Sequence, residues 1–171
     1  MSAPNFIRKP NRLPRASYLG QQWYFITLCS GSDGATFSHC ALVELLLDVL
    51  REQCHACSFD LYAYCFMPDH VHLELSGQSD DSDAIRLLHD FKGTATARAR
   101  GLGVRKLWER GFYDHILREN DDHNAVAWYI FNNPVRKGLV QDARDWPYSG
   151  SWSMDWKKAM APINPYVPPW K

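Results

Sequence analysis

The stretch FDLYAYCFMPDHVHLEL, residues 59–75, contains two β-strand patterns and decides how the chain folds. Residues 59–66 form an apolar and aromatic run of the kind that strands favour. Residues 67–69, Met-Pro-Asp, interrupt that run, because proline has no N–H to donate to a sheet. Over residues 70–75 polar and apolar side chains alternate with a period of two, which is typical of a strand. The sequence therefore predicts two consecutive strands here.

The segments on either side extend this pair into an alternating order of strands and helices. Residues 23–28 predict an earlier strand, because they are rich in aromatic and β-branched side chains. Apolar residues at helical spacing over 42–50 predict a helix after it, with Ser38 as the expected N-cap. After the central pair, residues 85–91 carry a second helical pattern, which Ser82 is expected to cap.

The last third of the chain adds a strand and a helix. Residues 112–118 predict a fourth strand, and Asp121 or Asp122 is expected to open a third helix through 125–130. The order β-α-β-β-α-β is that of the ferredoxin-like split βαβ, in which one antiparallel sheet carries helices on one face. We therefore predict an α+β fold of this type, with an additional C-terminal helix that carries Tyr129.

Composition divides the chain into three parts. Residues 1–20 form a basic arm, residues 21–145 hold the predicted fold, and residues 146–171 form a tail rich in proline and tryptophan, expected to be irregular or extended. A length of 171 residues suits one ordinary domain. Because the sequence has neither an apolar run of membrane-spanning length nor a signal-peptide pattern, we expect a soluble cytoplasmic protein with no membrane contact.

The cysteines indicate reduced thiols. Their number, five, is odd, and no secretory signal accompanies them. Cys54 and Cys57 have the spacing of half a zinc site, but no second pair follows at a suitable distance. We interpret them as small buried residues at the end of a helix.

The formal net charge is zero, but the basic residues are concentrated in two regions. One is the N-terminal arm, and the other runs from residue 86 to residue 118, where cations outnumber acids. Such clusters suit a phosphate-binding groove, although charge alone favours an ordinary solvated helix face. The cations in these regions that are candidates for contacts with phosphate groups are Arg8, Lys9, Arg12, Arg15, Lys92, Arg98 and Arg100.

His70 and His72 are two positions apart on a predicted strand, so both imidazoles point to the same face. Two imidazoles on one face can hold a divalent metal ion if a third ligand arrives from elsewhere in the fold. Histidine pairs on strands are nevertheless more often surface or hydrogen-bonded residues than metal ligands.

Tyr129 and Asn133 are four positions apart, so a helix that persists to Asn133 presents both on one side. A phenol and an amide oxygen presented together could serve as nucleophile and metal ligand. The alternative is a partly buried tyrosine followed by an Asn-Pro pair that ends the helix.

Four motifs resemble those of the REP-associated tyrosine transposases, a branch of the single-tyrosine transposases with a His-hydrophobic-His signature. In chain order they are YCFMPDHVHL at 64–73, Trp108 with FYDH at 112–115, Tyr129 with NPVRKGLV at 133–140, and WPYS at 146–149. The matches occur in the order that the family shows and extend over most of the chain, from about Tyr24 to Trp152.

The resemblance implies a metal-dependent endonuclease and strand transferase that acts on single-stranded or hairpin DNA, such as REP-like palindromes. In this interpretation Tyr129 attacks a phosphate, which leaves a 5′-phosphotyrosine and a free 3′-OH. His70 and His72 bind Mg²⁺ or Mn²⁺, with Asn133 as the third ligand. Many relatives have glutamine where this chain has Asn133, whose side chain is shorter by one methylene. Asn133 could therefore bind the metal ion directly or through a bridging water. The protein would act as a monomer or a homodimer.

Two other functions remain alternatives at this stage. The first is a hairpin DNA-binding protein of the same fold with little or no transfer activity. The second is an RNA-binding ferredoxin-like domain, but the aromatic and basic sheet motif usual in such domains is absent from the sequence. Tyr24, Trp108 and Phe112 could stack on bases, or they could pack in the core.

Overall fold

The computed structural model describes residues 13–31, 36–118 and 120–169. Its centre is a sheet of five strands: β1 (Trp23–Cys29), β2 (Phe59–Phe66), β3 (His70–Gly77), β4 (Tyr113–Leu117) and β5 (Ser149–Gly150). The strands lie in the order β4-β1-β3-β2-β5, and each neighbouring pair is antiparallel. The arrangement of the first four strands is that of the ferredoxin-like split βαβ fold, so the predicted fold class is confirmed.

Helices cover both faces of this sheet. They are α1 (Cys40–Ala56), α2 (Ala84–Ala99), α3 (His123–Phe131) and the single turn α4 (Asn133–Arg136). α1 and α2 pack on one face, as the fold predicts, whereas α3 packs on the other. The described part of the chain contains no helix that is both long and apolar enough to cross a membrane.

Two helices begin at aspartates that cap the free N–H groups of the first turn. The Asp83 carboxylate accepts a hydrogen bond from the backbone N–H of Arg86, and Asp122 does the same for Ala125, as predicted for the third helix. The predicted caps at Ser38 and Ser82 are wrong. α1 starts after His39, which makes no side-chain cap bond, and the Ser82 hydroxyl instead donates to the backbone carbonyl of Ser58.

The alternation of side chains along the strands gives the sheet two hydrophobic cores. Tyr24, Ile26 and Leu28 of β1 face α1 and α2, while Phe25 between them faces α3. Tyr24 has no exposed surface and Trp108 is 9 % exposed, so both pack in the core in this structure.

The C-terminal tail takes part in the second core. Trp156 is 4 % exposed, and its ring stacks on that of Phe131 in α3 with 4.2 Å between centroids. β5 also comes from this tail and pairs with β2, where a Cβ atom on Gly150 would lie only 2.3 Å from the Tyr64 hydroxyl. The tail therefore holds α3 against the sheet, a role that its irregular composition did not indicate.

The Cys54-x-x-Cys57 pair lies where the sequence analysis placed it, at the end of α1. Both residues are buried, and all five cysteines of the chain are free. Burial raises the pKa of the Cys54 thiol to about 12, which keeps it protonated and unreactive near neutral pH.

Candidate active site

β3 presents a row of polar side chains to the face of the sheet that α3 covers. His70, His72 and Glu74 alternate with Val71 and Leu73, which belong to the core on the opposite face. The strand register places His72 beside Thr27 of β1 and Cys65 of β2. The prediction that both imidazoles share one face is therefore confirmed.

The two imidazoles point their Nε2 atoms at each other. These atoms lie 3.1 Å apart, while each Nδ1 has a different partner. Nδ1 of His70 lies 2.6 Å from the Asp69 carboxylate, and Nδ1 of His72 lies 2.8 Å from the Thr27 hydroxyl. Such outer partners fix the ring orientation and direct the other ring nitrogen to a common point.

The electrostatic environment favours the neutral form of His72. Burial lowers its pKa well below the usual value, and the nearby positive charges of His70 and Arg136 lower it further. The hydrogen bond from His70 lowers the pKa of Asp69, so that carboxyl is ionised at neutral pH. A neutral imidazole with a free Nε2 lone pair is the form that binds a metal ion.

The histidine geometry fits a shared metal ion. Two nitrogens about 2.1 Å from one ion, at an angle of roughly 95°, lie about 3.1 Å apart. Among residues 13–31, 36–118 and 120–169, no group of three or more His, Cys, Asp or Glu side chains converges in this way. A metal ion held by His70 and His72 would therefore complete its coordination with an amide oxygen, water or a phosphate of the substrate.

Tyr129 lies on the same face as the histidines. Its ring is 6.0 Å from that of Phe25, and the ring of Phe25 is 5.2 Å from that of His72, measured between centroids. Phe25 thus contacts both, and the tyrosine helix and the histidine strand meet over one residue of β1. From the tail, Tyr166 packs edge-on against Tyr129 at 5.7 Å.

Asn133 keeps its position one turn after Tyr129, although α3 ends at Phe131 and α4 begins at Asn133 itself. The side chain is 5 % exposed. Its Nδ2 donates to the carbonyls of Tyr129 and Ile130, at 3.2 and 3.3 Å, and its Oδ1 accepts a hydrogen bond from Arg136 at 2.7 Å. The amide oxygen is therefore engaged by a cation in this structure.

Arg136 is a site residue that the sequence analysis did not single out. Its guanidinium lies over the Tyr129 ring, 3.8 Å from the centroid, and donates to the Tyr129 carbonyl at 2.8 Å. Arg136 follows Tyr129 by seven positions, close to two helical turns, within the NPVRKGLV motif. That spacing was the sequence signal that could have indicated Arg136, but its contact with the Tyr129 ring depends on how α4 continues from α3.

Three of the cations predicted to bind DNA have protein partners in the structure, namely Arg15, Lys92 and Arg98. Arg98 forms a fork with the Glu52 carboxylate at 2.9 and 2.7 Å, Arg15 pairs with Asp83, and Lys92 donates to backbone carbonyls of residues 109 and 111. Arg100 is exposed at the end of α2. Arg8, Lys9 and Arg12 lie outside the described residues. α2, which carries Lys92 and Arg98, packs on the face of the sheet opposite the histidines.

Glu74 is a second residue that the sequence analysis missed. It has no exposed surface, and burial raises its pKa to about 7. One carboxylate oxygen lies 3.2 Å from Nδ1 of His123, the first residue of α3, and the His123 ring stacks on Trp23 at 3.8 Å. This contact joins the start of the tyrosine helix to the strand that carries the histidines.

Comparisons with known proteins agree with the fold and the motifs. Residues 23–133 match the family model described as "Transposase IS200 like". A putative REP-associated tyrosine transposase of Haemophilus influenzae is 31 % identical over 123 residues, which cover 66 % of this chain and 69 % of the relative. A REP-associated tyrosine transposase of Escherichia coli is 25 % identical over 147 residues, covering 85 % and 84 %.

Among solved structures, a REP-associated tyrosine transposase bound to a REP hairpin superimposes with a TM-score of 0.74 at 21 % identity. The match covers 95 % of this chain and 93 % of that one, so the two share a fold. The resemblance of the sequence motifs is thereby confirmed, and the chain belongs to the IS200-like transposase family, as an enzyme of the REP-associated tyrosine transposase type.

Proposed function

We propose that this protein is a metal-dependent endonuclease and strand transferase that cuts single-stranded DNA beside a hairpin through a 5′-phosphotyrosine. The observation that carries the proposal is the meeting of two elements over Phe25. On one side lie the paired Nε2 atoms of His70 and His72, 3.1 Å apart, and on the other lies the ring of Tyr129. A nucleophile and a metal-binding pair on one face are what phosphoryl transfer requires.

The reaction exchanges one phosphodiester for another. The Tyr129 oxygen forms a bond to phosphorus as the bond from phosphorus to the 3′ oxygen breaks. The phenol loses its proton, and the departing 3′ oxygen gains one. Because the ester linkage is conserved, a 3′-OH can attack the phosphotyrosine and rejoin a strand without another energy source.

His70 and His72 would hold a Mg²⁺ or Mn²⁺ ion, with Asn133 as the proposed third protein ligand. When bound, the ion polarises the scissile phosphate and stabilises charge on its nonbridging oxygens. Two imidazoles favour Mn²⁺ over Mg²⁺, which prefers oxygen ligands. The protein's part is to orient the ligands, through Asp69 on His70 and Thr27 on His72.

Hairpin DNA is the proposed substrate because one structural relative is described as bound to a REP hairpin. Several cations are candidates for holding the backbone of such a hairpin: Arg8, Lys9, Arg12, Arg15, Lys92, Arg98 and Arg100. Arg15, Lys92 and Arg98 would first exchange their present protein partners for phosphates. We place the protein in the cytoplasm, acting as a monomer or a homodimer.

The test is covalent capture of DNA. Hairpin oligonucleotides from the DNA that flanks the gene, each with a few unpaired nucleotides, are incubated with the protein and Mn²⁺, and adducts are resolved on denaturing gels. We expect an adduct that maps to Tyr129 and disappears in Tyr129→Phe, while hairpin binding persists. Tyr148→Phe is the matched control, because that phenol bonds to the Ser38 carbonyl, away from the site. Hairpin binding without any adduct, under all metals tried, would favour the alternative of a binding protein that lacks transfer activity.

A further inference from the structure

Arg136 connects the two residues of the tyrosine helix that the proposed function uses. One guanidinium nitrogen donates to Asn133 Oδ1 at 2.7 Å, and the other donates to the Tyr129 carbonyl at 2.8 Å. The same group lies 3.8 Å over the Tyr129 ring. Despite these contacts the side chain is exposed, so solvent and ligands can reach it.

This arrangement conflicts with a metal ion on Asn133. The side chain of Asn133 has one oxygen, and its nitrogen is already committed to two backbone carbonyls. A divalent ion on Oδ1 would lie next to the guanidinium that occupies the same oxygen, and the two cations would repel each other at close range.

We infer that Arg136 is a positioning residue that withholds the Asn133 oxygen from the metal ion until a DNA phosphate binds the guanidinium. The inference rests on the proposed function and adds the order in which DNA and the metal ion bind. Guanidinium groups bind phosphates through paired, charge-assisted hydrogen bonds, which are stronger than a bond to a neutral amide. An arriving phosphate therefore draws Arg136 away and frees Oδ1 to join the two imidazoles.

Two consequences follow for the reaction. Metal and DNA bind cooperatively, because each removes an obstacle to the other. The phosphate that binds Arg136 also arrives beside the Tyr129 ring, over which the guanidinium lies. In the absence of DNA the site therefore holds its metal ion weakly.

The experiment measures Mn²⁺ affinity without DNA, from the electron paramagnetic resonance signal of the free ion. The proteins are the wild type, Arg136→Ala, Asn133→Ala and the double variant. We expect Arg136→Ala to bind Mn²⁺ on the order of tenfold more tightly than the wild type, because changes to residues that contact a metal ligand alter metal affinity by at least this factor. The double variant should show no such gain over Asn133→Ala, since the freed oxygen is then missing.

Arg144→Ala is the matched control, because that guanidinium also lies over an aromatic ring of α3, 5.6 Å from Trp128, but pairs with Asp142. It should leave the Mn²⁺ affinity unchanged. Circular dichroism melts check that each variant folds. If Arg136→Ala does not fold, Arg136→Lys replaces it in the comparison with the wild type. Lysine keeps the positive charge but lacks the paired nitrogens of the guanidinium, so the expected gain in Mn²⁺ affinity is smaller.

A second measurement adds hairpin DNA in the Tyr129→Phe background, in which no cleavage occurs. DNA should raise the Mn²⁺ affinity of Tyr129→Phe by a similar factor and have little effect once Arg136→Ala is added. Equal Mn²⁺ affinities of wild type and Arg136→Ala, or a gain that persists without Asn133, would overturn the inference. Neither of these results requires strand cleavage. The proposed function is tested by a different observation, because it fails if the wild-type protein forms no DNA adduct.

Discussion

Replacing Trp156 by alanine tests whether the C-terminal tail holds the tyrosine helix in place. The indole is 4 % exposed, stacks on Phe131 at 4.2 Å and meets Trp128 edge-on at 6.3 Å. A buried indole removes about 200 Å² from water, worth about 5 kcal/mol as an upper bound at about 25 cal/mol per Å². Because alanine retains part of this area, we expect Trp156→Ala to lower the free energy of unfolding by about 3–4 kcal/mol.

Urea denaturation followed by tryptophan fluorescence and circular dichroism measures this loss. With a slope of about 2 kcal/mol per M, the midpoint should fall by about 1.5–2 M. Ile163→Ala is the control from the same tail, because that side chain is 98 % exposed and its loss should leave the midpoint unchanged. Since α3 carries Tyr129, DNA adduct formation should also decrease in Trp156→Ala. A midpoint shift no larger than that of the control would refute the view that the tail is part of the domain.

Three further predictions concern the cap, the thiols and the histidine partner. Asp122→Ala removes the acceptor for the Ala125 N–H and should cost about 1 kcal/mol, measured by thermal melts, whereas Asp122→Asn keeps an acceptor oxygen and should cost little. Iodoacetamide near pH 8 should modify exposed Cys40 and spare Cys54, because burial raises the pKa of the Cys54 thiol to about 12. Mass spectrometry measures the labelling of each cysteine, and equal labelling of the two in the folded protein would contradict the burial of Cys54. Thr27→Val removes the hydroxyl that lies 2.8 Å from Nδ1 of His72 and should weaken Mn²⁺ binding on the order of tenfold. The melting temperature should fall by no more than a few degrees. An unchanged Mn²⁺ affinity would show that Thr27 does not orient the His72 imidazole.

The sequence alone was enough for the features that depend on neighbours along the chain. Alternation over residues 70–75 predicted both the strand and the shared direction of His70 and His72, because successive side chains of any strand point to opposite faces. Helical spacing predicted α1, α2 and α3, and the β-α-β-β-α-β order predicted the sheet. The motifs led to the family, because their order along the chain is specific.

Helix starts were less predictable from the sequence. At the start of α2, Ser82 and Asp83 are both good capping residues in adjacent positions. Tertiary structure chose Asp83, because the Ser82 hydroxyl is used by the carbonyl of Ser58, 24 positions earlier. A choice between two equally suitable neighbours cannot be made from propensity when a distant residue decides it.

Only the tertiary structure decided how the parts of the site meet. The packing of α3 on the face opposite α1 and α2 brings Tyr129 to Phe25, more than a hundred positions away in the chain. The continuation of α4 from α3 then places the Arg136 guanidinium over the Tyr129 ring. Periodicity determines which way a side chain points from its own element, whereas contacts between elements depend on which faces bury their apolar surface together, and that is a property of the whole packed chain.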